Sequence, residues 1–131
     1  MGTWRTSMRV RFHELDAYGH VNHGVYLNYF EQARVELLDE LGFGLDVLRD
    51  RGIQLVVVEV AVRFRSPAGL GDRLVVETDL DQLRRASSIW DQRLLRDDDL
   101  LASATVRSAA TDAGGRPIRP PADLVTALTG G

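Results

Sequence analysis

One helical stripe limits what this chain can fold into. From Gly24 to Leu41 the apolar residues Tyr26, Phe30, Ala33, Leu37 and Leu41 recur at steps of four, three, four and four, which places them on one face of an α-helix. Tyr29 and Leu38 widen that face, while Glu31, Gln32, Glu36, Asp39 and Glu40 lie mostly off it. At ~1.5 Å per residue the segment is roughly 25 Å long, enough to cross several strands. Gly42 is a natural terminator, and Gly44–Arg51, closed by Gly52, reads as a shorter helical turn or two.

Almost everything else reads as strand. Thr6–Glu14 alternates Met8, Val10 and Phe12 against Arg9, Arg11 and His13, the period-two pattern of a half-buried strand. Four more segments follow the helices: Gln54–Ser66, Arg73–Leu83, Arg85–Arg96 and Leu100–Asp112. Ser66–Asp72, with Pro67, and the acidic run Asp97–Asp99 are turns between them. Gly114 and Gly115 end the last strand, Pro117–Pro121 is a stiff connector, and Ala122–Leu128 adds a short terminal helix. The order β-α-β-β-β-β predicts an α+β domain in which one long helix covers one face of an antiparallel sheet, with the last four strands as a meander. Leu55–Val62 is apolar on both faces, as expected of a strand buried from two sides; dimerisation is one way to achieve that.

With 131 residues the chain makes one domain, large enough to bury a core unaided. All sixteen basic residues are arginines and the net charge is -3, so nucleic acid is not an expected partner. The absence of cysteine removes disulfides, thiolate metal sites and a cysteine nucleophile together. No apolar run spans a membrane and Met1–Met8 lacks the apolar core of a signal peptide, so a cytoplasmic location is expected.

The chemistry is concentrated just ahead of the long helix. Between Asp16 and Val25 lie one carboxylate (Asp16), two of the three histidines (His20 and His23), Asn22 and two glycines. Gly19 supplies a positive φ where the backbone turns. A carboxylate beside a helix N-terminus can act as general base or nucleophile, and the open N–H groups of the first turn can polarise a carbonyl. His20, Asn22 and His23 can orient water, the carboxylate or the carbonyl. The competing reading makes Asp16 a turn cap and Asn22 or His23 the helix cap. His20 and His23 in one short loop, with no supporting motif, make no metal site.

These residues resemble the hotdog-fold thioesterases, in particular the 4-hydroxybenzoyl-CoA thioesterase-like family and its acyl-CoA relatives. The likeness rests on an aspartate, a glycine three residues on and a polar or aromatic residue seven on before a long helix, here Asp16, Gly19 and His23, with Asn28 and Tyr29 following. Asp16, His20, Val21, Asn22 and Tyr26 also match the pattern of plant-type acyl-carrier-protein thioesterases. Ser66–Pro67–Ala68, Gly71–Asp72 and Arg116–Ile118 are similar to turns of the same family.

The resemblance implies a hotdog fold, in which the sheet wraps the helix Gly24–Leu41. It implies a homodimer that commonly associates further into a homotetramer, with active sites at the subunit interface. The substrate would be an acyl-CoA or acyl-carrier protein, hydrolysed without a diffusible cofactor. Asp16 would be the catalytic carboxylate, with His23, Asn22 and His20 in support and backbone N–H groups around Val25 and Tyr26 polarising the carbonyl. Arg63, Arg65, Arg84 and Arg85, with Ser87 and Ser88, are candidates for binding the CoA phosphates and substrate. Another branch of the fold places its carboxylate on the helix, near Glu31 here, a residue also placed to pair with Arg34 at i+3. Hotdog hydratases carry a D-x-N-P-x-H motif; Tyr18 and the lack of proline in this loop argue against that class. A non-catalytic acyl-binding module is the remaining alternative.

Overall fold

A computed structural model describes residues 2–130. Its elements run β1 (Trp4–Arg9), a 3₁₀ turn (Phe12–Glu14), α1 (His23–Glu40), α2 (Leu45–Asp50), β2 (Gln54–Phe64), β3 (Arg73–Leu83), β4 (Ser87–Arg96), β5 (Asp99–Thr111) and α3 (Ala122–Thr129). The five strands form one antiparallel sheet in the order β1-β3-β4-β5-β2. With α1 on one face, this is the expected α+β hotdog arrangement.

The helical stripe packs as its spacing requires. Tyr26, Phe30, Ala33 and Leu37 are buried, as are Tyr29 and Leu38 beside them. They join Leu74, Val76, Leu94, Leu101 and Val106 of the sheet in one core. Two polar side chains of the sheet are buried together there, Thr78 of β3 and Gln92 of β4, each 1% exposed; Gln92 makes the contacts to the helix. Its amide N–H groups donate to the Phe30 carbonyl at 2.9 Å and to Thr78 Oγ1 at 3.0 Å, and its carbonyl accepts from Arg34 Nη1 at 2.8 Å. A buried amide left unpaired costs about 1–3 kcal/mol. This set of partners therefore pins α1 to β3 and β4 at one register.

Two expectations fail, each for a physical reason. The first strand stops at Arg9, and Phe12 is 79% exposed. Strand β3 offers its last partner at Arg73, opposite Arg9, and beyond it the chain closes a 3₁₀ turn in which Glu14 Oε1 accepts the Arg11 N–H at 2.7 Å. The last four strands are not one meander, because β2 pairs with β5 and only β3-β4-β5 are consecutive neighbours. The segment after β2 is drawn across the end of the sheet: Arg65 N–H donates to the Leu101 carbonyl at 2.8 Å, and Ala68 accepts from Val21 N–H at 2.8 Å. Within a single chain β2 has one side open, as the expectation of burial through dimerisation allows. It is an edge strand, with Val56, Val57, Val58, Val60 and Phe64 all exposed.

Replacing Phe30 with alanine removes a fully buried ring from the core. Urea denaturation should show a loss of about 3–5 kcal/mol; a loss below about 1 kcal/mol would contradict the packing described.

Candidate active site

The loop before α1 is a tight hairpin. Leu15 and Val21 form an antiparallel bridge, Asp16 N–H donates to the His20 carbonyl at 2.7 Å, and Gly19 N–H donates to the Asp16 carbonyl at 3.1 Å. Gly19 has φ +76°, a conformation a side chain would strain. Asp16 Oδ1 accepts two N–H groups of the same turn, from Tyr18 at 2.8 Å and His20 at 3.1 Å. The two oxygens of this carboxylate therefore differ. Oδ1 holds the turn, and among the described residues Oδ2 receives no hydrogen bond.

Asn22 then starts the helix. Its Oδ1 accepts the Gly24 N–H at 2.9 Å, and its backbone carbonyl accepts the Val25 N–H at 2.9 Å. Its own N–H donates to the Glu14 carbonyl at 2.8 Å. The first-turn amides can be assigned one by one from these contacts. Gly24 and Val25 are occupied, and Tyr26 stands where the intrahelical ladder begins. Among the described residues the His23 N–H has no protein acceptor. Of the donors at the helix start, the open one is thus His23 rather than Val25 or Tyr26. The identity of the cap decides this, and sequence spacing left Asn22 and His23 as equal candidates for it.

The surroundings hold this start in place. Ala68 N–H donates to the Tyr26 hydroxyl at 3.2 Å, and a bridge between His20 and Gly69 joins the hairpin to the turn after β2. Asp72 secures that turn, accepting from Gly69 N–H at 2.9 Å and Arg96 Nη1 at 2.8 Å; these two donors hold its carboxyl below the usual range. Phe64, at the end of β2, meets Tyr26 edge-on at 5.1 Å and His23 at 6.5 Å.

Sequence reasoning missed the pair beneath the hairpin. Tyr29 donates its hydroxyl proton to buried Glu14 Oε1 at 2.8 Å. No capping-box signature announced it, because Arg11 has no side-chain acceptor; the turn closes instead through the Arg11 backbone carbonyl and the Glu14 carboxylate.

The other predicted residues are dispersed. Arg63 lies on a shallow depression of the sheet with Asp91, Arg93 and Ser103, and Arg65 follows the end of β2, exposed. Arg84 holds the Gln82 side chain through Nε and Nη2, and Arg85 is exposed in the turn between β3 and β4. That turn is at the opposite end of the sheet from the Asp16 hairpin. Ten residues of β3 separate the two ends, on the order of 33 Å, so one chain cannot bring Arg84 and Arg85 to its own Asp16. Ser87 and Ser88 lie at the same far end, in the wall of a cavity also lined by Glu31 and Arg34. Among the described residues no three Asp, Glu or His side chains converge as a metal site, and no helix is long and apolar enough to cross a membrane.

A family model described as the thioesterase-like superfamily matches residues 10–128. The chain belongs to this superfamily. It is 35% identical over 123 residues to the acyl-CoA thioesterase YbgC of Haemophilus influenzae, covering 92% of this chain and 90% of that one. It is 29% identical over 119 residues to the chloroplastic acyl-acyl carrier protein thioesterase ATL3 of Arabidopsis thaliana, covering 89% of this chain and 63% of that one. Among solved structures, a hypothetical protein of Thermus thermophilus superposes with a TM-score of 0.90 at 35% identity, covering 95% of this chain and 96% of that one. The superfamily match takes in the hairpin, α1 and the whole sheet from β2 to β5.

Burial, the hydrogen bond to Glu14 and the Glu14 charge together push the Tyr29 phenol well above its ordinary value of 10.0. Folding therefore favours the protonated phenol, and the unfolded chain releases that proton first as pH rises. The stability this contributes is fully present below about pH 10 and is lost as pH climbs beyond it. Subtracting the ultraviolet titration of Tyr29→Phe from that of wild type should show no phenolate step for Tyr29 up to pH 11 while the protein remains folded. A step near pH 10 would contradict the Glu14 contact.

Proposed function

We propose that the protein hydrolyses acyl thioesters, acyl-CoA foremost, with Asp16 as the reacting carboxylate and the His23 N–H as the donor to the substrate carbonyl. One observation carries this reading: the Asn22 cap closes the amides of Gly24 and Val25 and leaves that of His23 open, seven residues after a carboxylate with one uncommitted oxygen. An oxyanion needs a donor already in position, and an orphan amide at a helix start is one.

As general base, Asp16 Oδ2 takes a proton from water while the water oxygen bonds to the acyl carbon. Collapse of the tetrahedral intermediate breaks the C–S bond, and the thiolate leaves with a proton from solvent. As nucleophile, the same oxygen attacks the acyl carbon and breaks the C–S bond, the thiolate leaving with a proton from solvent; water then opens the mixed anhydride to the acid and restores the Asp16 carboxylate. Asn22 acts through the cap. His23 sets its ring against Phe64, and His20 is tied by its backbone, so their rings serve orientation of substrate or water. The likeness to an acyl-carrier-protein thioesterase as well as to an acyl-CoA thioesterase keeps a carrier-bound acyl group as the second substrate class. An acyl-binding module without catalysis is the alternative of a different kind.

The same reading makes the active unit a homodimer, further paired into a tetramer. An exposed valine-rich edge such as β2 is a template for pairing. Antiparallel pairing of two β2 strands about a two-fold axis would set the Gln54 end of one beside the Phe64 end of the other. Arg84, Arg85, Ser87 and Ser88 share the Gln54 end of the sheet. This pairing is what would bring them toward the partner's Asp16, where the arginines could meet the CoA phosphates.

Asp16→Asn separates the two roles of the side chain, because its amide oxygen still accepts from Tyr18 and His20. Thiol release from a panel of aliphatic and aromatic acyl-CoAs should fall by about 10²–10⁴-fold in kcat, with the melting temperature close to wild type. Asp16→Ala should lose both rate and stability. Absence of thiol release by wild type from any acyl-CoA or acyl-carrier protein defeats the hydrolase reading, and full activity in Asp16→Asn defeats the assignment of the residue. For the assembly, Val58→Asp places a charge on the β2 edge and should yield monomers by light scattering at concentrations where wild type is a dimer or larger. A wild-type monomer would remove the dimer from the account.

A further inference from the structure

The sheet has a second edge. Strand β1 pairs with β3 on one side only and ends the sheet opposite β2. Just past its end, Val10 N–H donates across to the Asp72 carbonyl at 3.0 Å. In an antiparallel ladder, residues that bond across alternate with residues whose N–H and C=O groups point away. Thr6 and Met8 therefore face β3 as Val10 does, and Arg5, Ser7 and Arg9 turn their backbone groups to the open side. Along that edge runs a groove of about 800 Å³. Ser7–Arg11 form one wall, and Asn28, Gln32 and Glu36 of α1, exposed at four-residue intervals, form the other. An open strand edge beside a helix is a geometry in which an extended segment can add to a sheet.

Charge decides what can add there. The charged side chains of β1 are Arg5 and Arg9. Arg5 is paired with Glu77 at 3.0 Å. Arg9 stands opposite Arg73 in the ladder, and among the described residues neither makes an ion pair, nor does Arg11 in the groove wall. Two copies of β1 pairing antiparallel about Ser7 would set Arg5 of each against Arg9 of the other. Like charges directly opposite destabilise such a pair, so this edge resists self-pairing, unlike the valine-rich edge of β2. We propose that β1 binds an extended segment of another protein by strand addition, with an acidic side chain of that segment against Arg9. Its carboxylate supplies the counter-charge that Arg9 and Arg73 lack, and the fork of a guanidinium matches its two oxygens. The groove's own carboxylates fix where that acid belongs. Glu14 is committed to Tyr29 and the Arg11 N–H, and Glu36 lies farther along α1, away from the helix start. The site is at the opposite edge of the sheet from β2, so it depends neither on the thioester reading nor on the dimer.

The probe is a phage-displayed library of short random peptides, selected on the immobilised protein. Ser7→Pro is the control: an edge strand accepts proline where the lost N–H would face solvent, so the fold stays and an open-side donor goes. Wild type should enrich peptides carrying Asp or Glu, and Ser7→Pro should not. The most enriched peptide, once synthesised, should bind Arg9→Glu about tenfold or more weakly by calorimetry. Bound to wild type, it should slow hydrogen exchange at the Arg5, Ser7 and Arg9 amides. Arg9→Glu and the exchange measurement keep the test decisive if Ser7→Pro lowers the melting temperature. No enrichment over Ser7→Pro in its folded state, or enrichment without acidic residues, would overturn the proposal. So would a peptide that binds Arg9→Glu as tightly as wild type or leaves the three amides unprotected. A smaller assembly for Ser7→Pro than for wild type by light scattering would make the occupant a second copy of this chain, which also overturns it.

Discussion

The cap that Asn22 places on α1 is the contact from which the rest of the site follows. A helix begins with donors that its own backbone cannot satisfy, and whichever residue caps it decides which of them stay open. Here one side-chain oxygen and one carbonyl close Gly24 and Val25. The remaining donor, on His23, is set by the same residue whose N–H ties the hairpin to Glu14. Asp16 repeats the economy: one oxygen holds the turn, and the other accepts no hydrogen bond among the described residues. Under the proposed reading, structure and catalysis use different atoms of the same residues.

That cap is useful only if α1 cannot slide or rotate, and the core prevents both. Phe30, Ala33 and Leu37 are buried against the sheet without detectable or with minimal exposure, and Gln92 fixes the register through the Phe30 carbonyl, Thr78 and Arg34. At the other end, Tyr29 on Glu14 and Tyr26 under Ala68 fasten the helix to the loops around the site. The polar atoms below the helix thus act as pegs, each costly to displace because each would be left unpaired in the core. The edge strand β2 is the part of the architecture that a single chain leaves unfinished.

The helix was legible because its period was strong over several turns, and the fold followed from having one such helix among strands. The loop Asp16, Gly19, Asn22 and His23 stood out because four residue types suited to caps and to active sites alike fell within eight positions; the family resemblance, not the composition, singled out Asp16. Four things were not legible. Alternation carried past Val10 to Phe12, although pairing had ended at Arg9, because period alone does not report where a partner strand begins. Adjacency in sequence made β2 and β3 neighbours, whereas hydrogen bonds from Arg65 to Leu101 and from Val21 to Ala68 carry the intervening turn across the sheet end. The arginines at positions 63, 65, 84 and 85 were grouped by charge, and the sheet divides them between its two ends. Glu14 looked like the end of a strand and is instead the buried acceptor for Tyr29.

The most direct test of the account is the vibrational frequency of a substrate carbonyl at the helix start. A non-hydrolysable ketone analogue of an acyl-CoA, labelled at its carbonyl, should show on binding a stretching band at lower frequency than in water, as a preorganised donor polarises the C=O bond. The account predicts that the shift persists in Asp16→Asn, where turnover is lost, because the His23 amide and the Asn22 cap are untouched. A bound carbonyl absorbing at or above its aqueous frequency would contradict it.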